Sequence, residues 1–170
     1  VGLRDAGLPE AVLRWMFRIG SVWMVFLLYM VLLLLVSDIA GIFIPKMKSS
    51  LLFALPVTLC ILGYGYINYR HPKVEHIDIS LEKEGAPVRI VAVSDVHLGY
   101  GTGVSALKKY VEKINSQGPD LILIAGDLID NSVKPLLNEP FAEVLSRLKA
   151  PMGIYMVPGN HEYISGIDAC

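Results

Sequence analysis

The sequence predicts an α/β protein in which amino-terminal transmembrane helices precede a domain built on a parallel sheet. Nearly all the long apolar runs fall within residues 1–70, while residues 71–170 have the composition of an ordinary globular domain. That second part runs strand, helix, strand, helix, strand, a rhythm that points to right-handed βαβ crossovers. Each of its three strand-like runs also stops at a polar cluster: Ser94-Asp95-Val96-His97, Gly126-Asp127 and Gly159-Asn160-His161.

Residues 1–18 scatter Arg4, Arg14 and Arg18 among apolar residues, with Pro9 offering a helix start. Residues 19–36 carry no charge and, at about 1.5 Å per residue, nearly cross a hydrocarbon core of about 30 Å. A transmembrane helix is expected there, because the rest of the chain is too small to wrap it as a core helix. A secretory signal would have a shorter apolar region and a small-residue cleavage site, and neither is present. Residues 37–50, with Asp38, Gly41, Pro45, Lys46 and Lys48, read as a loop or interfacial turn. A second membrane helix is expected over 51–67 despite Pro56, Gly63 and Gly65, the alternative being a re-entrant or interfacial segment. Arg4, Arg14, Arg18, Arg70 and Lys73 lie outside the two runs, against Lys46 and Lys48 between them. This bias places the connecting loop outside and the domain in the cytoplasm of a multi-pass membrane protein.

Residues 71–87 are expected to hold a linker and a first strand, 75–81, whose EHIDISL alternates polar and apolar residues as a half-buried strand does. Residues 89–93 are short, β-branched and bounded by Pro87, and are expected to form a buried, central strand. A Gly-rich loop at 99–103 leads to an amphipathic helix over 105–117 with Leu107, Tyr110, Val111 and Ile114 on one face, ended by Gly118-Pro119. A second buried strand (120–125), a helix over 135–149 and a third strand (153–157) complete the pattern. His71 and His76 read as linker or surface residues, since neither sits at a strand end beside a carboxylate.

Composition narrows the function. A net charge of −1 gives no electrostatic case for a nucleic-acid partner, and two cysteines support neither a disulfide framework nor a thiolate metal site. No Gly-x-x-x-x-Gly-Lys sequence is present, which argues against a P-loop nucleotide site. Two spans without an ionisable residue midway do not make a transport pathway.

In a parallel sheet all carboxyl ends point the same way, and ligands bind there. Asp95, His97, Asp127, Asn160 and His161 should therefore converge on one edge. Two carboxylates, an imidazole and an amide oxygen make a mixed site suited to Mn²⁺, Fe or Zn²⁺. Taken singly, an Asp after a strand is usually a helix cap and a Gly-Asp pair a turn; the combination carries the inference.

Asp95-Val96-His97, Gly126-Asp127-Leu128-Ile129-Asp130 and Gly159-Asn160-His161-Glu162 resemble, in order and spacing, the three leading motifs of the calcineurin-like metallophosphoesterases. The resemblance covers roughly residues 88–165, and the membrane segment is similar to that of bacterial membrane-anchored members. It implies a partial metallophosphoesterase α/β sandwich and hydrolysis of a phosphomonoester or phosphodiester, with two divalent metal ions as cofactor. It further implies that Asp95 and His97 bind the first metal, that Asp127 bridges both and that Asn160 binds the second. His161 is implied as the catalytic group near the leaving oxygen, with Asp130 orienting it; the alternative for Asp130 is a turn carboxylate facing water. Glu162 is expected to cap the next helix rather than touch substrate. Membrane attachment makes lipid or cell-envelope phosphates plausible substrates.

The family completes its centre with downstream histidines, and none follows His161 here. With Val1 at one end and Cys170 at the other, the expectation is an amino-terminal fragment of the catalytic domain, inactive or single-metal as it stands. The competing expectation is a non-catalytic membrane-anchored α/β domain that binds phosphate or metal for recognition.

Overall fold

The computed structural model describes residues 8–169 except 49, 81, 83, 84 and 131. Arg4, Cys170 and the turn positions Lys83 and Glu84 lie outside the described residues. The chain divides into two compact units, Ile19–Glu82 and Val1–Arg18 with Lys83–Cys170.

The first unit is helical. Helix α1 spans Glu10–Gly41, 32 residues, and helix α2 spans Leu51–Arg70, 20 residues. Both are long and apolar enough to cross a membrane. α1 outruns the expected 19–36 at both ends, so part of the expected 37–50 loop is helical. Glu10, Arg14, Arg18, Ser37 and Asp38 end the apolar run without ending the helix, because none of them removes a backbone donor or clashes with the preceding turn. The helix stops at Gly41, and Pro45 opens a single 3-10 turn, Pro45–Met47. Within this unit Ser37, Ala54 and Thr58 are fully buried, and Ser50 N–H donates to Ser37 Oγ at 3.0 Å. Pro56 lies inside α2 without ending it. The segment after α2 carries no assigned strand: Ile77 and Ile79 are each 79% exposed, so the strand expected at 75–81 is not formed among the described residues. Alternation alone cannot make a strand that has no partner to complete its ladder.

The second unit is built on a three-stranded parallel sheet, β1 (Ile90–Val93), β2 (Leu121–Ala125) and β3 (Ile154–Val157), in that order. β2 is therefore the central strand, and β1, expected there from its sequence, is an edge. Ile90 pairs with Leu121, and Ile122 with Ile154. Because side chains alternate, this register puts Val91, Ile122, Ile124, Ile154 and Met156 on one face and Ile90, Ala92, Leu123, Tyr155 and Val157 on the other. Ile122 and Ile124 are buried, whereas Ile90 and Tyr155 are 52% and 62% exposed. The runs at 89–93 and 153–157 are thus apolar without being buried.

Helix α3 (Val104–Ser116) follows β1 as its periodicity predicts. The helix expected over 135–149 is instead two short ones, α4 (Lys134–Asn138) and α5 (Phe141–Leu145), because Pro140 has no N–H for the ladder and disfavours a helical residue before it. Their apolar sides close with α3 over Leu98, in a core of Leu98, Leu107, Val111, Phe141 and Val144. Helix α6 (Asn160–Ser165) leaves β3 directly.

Candidate metal centre

The loops after β1 and β2 keep exchanging backbone hydrogen bonds beyond the strands. Asp95 N–H donates to Gly126 O (3.3 Å), His97 N–H to Asp127 O (3.0 Å) and Leu98 N–H to Leu128 O (2.8 Å), and Asp130 N–H returns a bond to Leu98 O (2.9 Å). This zipper carries His97 alongside Asp127 and Asp130. Three residues in it adopt left-handed backbone, Asp95 (φ 55°), His97 (φ 49°) and Asp127 (φ 52°). Such conformations cost roughly 1–3 kcal/mol each and gather at functional sites; Asp, Asn and His accept them best among residues with a Cβ.

The third loop is locked to the second by backbone contact. A Cβ on Gly126, itself at φ 81°, would lie 2.8 Å from Gly159 Cα, and a Cβ on Gly159 would fall on the Asp127 carboxylate. Both positions need glycine for that reason. Glu162 completes the lock. It is 1% exposed, and its carboxylate accepts from the N–H of Asp127 (3.0 Å), Ile129 (2.9 Å) and Gly159 (2.7 Å). Burial alone would raise its pKa, but the N–H groups of Ile129, Gly159 and Asp127, with its own, outweigh that and hold it below the ordinary glutamate value. In return His161 N–H donates to Asp127 Oδ1 at 2.9 Å. Glu162 does cap α6, as expected, its carboxylate accepting from the N–H of the N-cap residue Gly159. Its place at the start of a helix could not show that the same carboxylate ties two βα loops together.

The geometry gathers some expected residues more tightly than others. Donor atoms of His97, Asp127 and His161 all lie within 4.8 Å of one another. The two imidazoles meet edge to face with centroids 4.4 Å apart. Asp130 Oδ1 lies 3.2 Å from His161 Nδ1 and 3.9 Å from His97 Nδ1, with the Asp130 side chain 12% exposed. It faces histidine rather than water. Asp95 Oδ1 is 3.8 Å from His97 Nε2 on an exposed side chain, and Asn160 is the exposed first residue of α6, beside His161. His161, expected as a proton carrier, thus stands inside the donor cluster, whereas Asp95 is not part of it.

These residues fit a divalent cation. Two borderline imidazole nitrogens and a hard carboxylate oxygen lie in reach of one ion.

Fold and site together define an α/β protein with a candidate cation site, a His/Asp cluster at the carboxyl edge of a parallel sheet. Residues 88–169 match the family described as calcineurin-like phosphoesterase, and this part of the chain belongs to that family. A Danio rerio protein named transmembrane protein with metallophosphoesterase domain is 38% identical over 114 residues, covering 65% of this chain and 26% of its own length. A Helicobacter pylori protein named only as an uncharacterized metallophosphoesterase is 32% identical over 132 residues, 74% of this chain and 35% of its own length. The Bacillus subtilis metallophosphoesterase YkuE, also uncharacterized, is 36% identical over 107 residues, 59% of this chain and 37% of its own. No solved structure matches. The chain spans about a third or less of the length of the first curated relatives. Members of the family hydrolyse phosphate esters and use divalent metal ions.

Proposed function

We propose that this chain belongs to a membrane-anchored, metal-dependent phosphoesterase acting on a phosphomonoester or phosphodiester. The convergence of His97, Asp127 and His161, with Asp130 behind the two imidazoles, carries the reading. Asp95, His97, Asp127 and Asn160 would hold two divalent cations, of Mn, Fe or Zn. Bound there, the cations supply Lewis-acid polarisation of the ester and a nucleophile at neutral pH.

The chain's own residues do the rest. Asp130, with Oδ1 3.2 Å from His161 Nδ1, would orient that imidazole, and Nε2 would carry the proton delivered to the leaving oxygen. The Glu162 lock keeps the Asp127 and His161 backbones in register while charge moves. α1 and α2 anchor the domain in a membrane with the domain on the cytoplasmic side, and lipid or cell-envelope phosphates are the substrates within reach.

Metal content and turnover of bis(p-nitrophenyl) phosphate by the full-length protein test the reading. Stoichiometric divalent metal and turnover that chelation abolishes are expected. A metal-free protein that ignores added Mn²⁺ and Zn²⁺ would overturn it.

A further inference from the structure

We propose that the first turns of α1 are a positioning brace for the metal centre, with Arg14 its principal residue. Their consequence for turnover rests on the phosphoesterase reading; their consequence for loop order does not. The amino-terminal end of α1 belongs to the same compact unit as the α/β sheet. Arg14 pairs with Glu139, their side chains 21% and 28% exposed, and Asn138 Nδ2 donates to Glu10 Oε1 at 2.5 Å. One turn further along, the Phe17 ring sits 6.4 Å from that of Tyr100. Helix and loop are close enough that a Cβ on Gly101 would lie 3.2 Å from Phe17 Cε1, and one on Gly103 3.2 Å from Arg14 Nη1.

What α1 grips is the chain just downstream of the site. Tyr100 to Gly103 follow His97 at once, and the loop is turned back by Gly99 N–H donating to Thr102 O at 3.0 Å. Asn138 and Glu139 close α4, the first helix after Asp130. One face of one helix therefore holds the continuations of His97 and Asp130, whose side chains lie 3.9 Å apart. The same helix runs on without a break to Gly41, through the apolar stretch. Sequence alone made Arg14 a membrane-flanking charge; the structure gives it a carboxylate inside the domain.

Hydrogen exchange and kinetics on the full-length protein in detergent micelles test the brace, using Arg14→Glu, Glu139→Arg and the double variant that swaps the charges. A partly exposed ion pair shifts a local opening equilibrium by a few-fold. Each single variant should therefore speed amide exchange across Gly99 to Gly103 about three- to fivefold and lower kcat with KM unchanged, and the charge swap should restore both. Unchanged exchange in the single variants, or a double variant as impaired as the singles, would overturn the proposal. Exchange is read without substrate, so a protein with no phosphoesterase turnover would sink the enzymatic reading while this measurement still decided the brace.

Discussion

The backbone N–H of Asp127 donates to the buried carboxylate of Glu162 at 3.0 Å, so the third βα loop holds the candidate bridging ligand of the second. Glu162→Ala strands the N–H groups of Asp127, Ile129 and Gly159, and should destabilise the domain by about 3 kcal/mol or more. Glu162→Gln keeps an acceptor oxygen and should lose less. Denaturant midpoints of the two variants check the order.

The same carboxylate sets an acid limit. Its pKa in the folded domain is below the ordinary value of 4.5, so folding favours the ionised form. That contribution is whole above the unfolded-state value and disappears as pH falls through the lowered one. The stability gap between wild type and Glu162→Gln should hold steady above about pH 5 and narrow below about pH 4. Thermal unfolding across that range measures it.

Gly159→Ala puts a methyl group onto the Asp127 carboxylate. The two loops must separate, so metal affinity should fall together with at least about 1 kcal/mol of stability. Calorimetric Mn²⁺ titration beside a thermal melt reads both.

Asp127→Asn keeps an oxygen that can accept from His161 N–H but removes the charge. The fold should survive while turnover falls by more than the roughly 10–100-fold that loss of an outer metal partner costs. A scaffold protein would show no such loss. Chelation should reproduce the defect in wild type, and added metal should reverse it.

Cys60 lies in α2, within the second apolar run. If α2 crosses a bilayer, a Cys170→Ser protein in sealed vesicles should leave Cys60 unlabelled by an impermeant maleimide until the membrane is dissolved. Prompt labelling in intact vesicles would count against the span.

Much of this arrangement was legible in the chain because it rests on periodicity and chain breakers. α3 follows its amphipathic repeat, and β2 and β3 fall where the apolar runs end in Gly-Asp and Gly-Asn pairs. What escaped depends on partners. Apolar content at 89–93 suggested a central strand, but strand order is set by which loops pack, and Ile122 rather than Val91 is fully buried. The apolar repeat over 135–149 runs straight across Pro140, and the proline divides the helix there. The alternation of 75–80 was real, but a ladder needs a second strand. At the site, Asp130 and His161 were nameable as a pair, whereas the carboxylate of Glu162 looked like a cap and nothing more.

The left-handed backbones of Asp95, His97 and Asp127 also shape which replacements the domain tolerates. In a saturation library scored for folding alone, with metal and substrate withheld, valine, isoleucine and threonine should vanish from all three positions while glycine and asparagine persist. Mutational intolerance there has two separable origins, chain geometry and chemistry, and a survey that scores only activity will attribute both to the second.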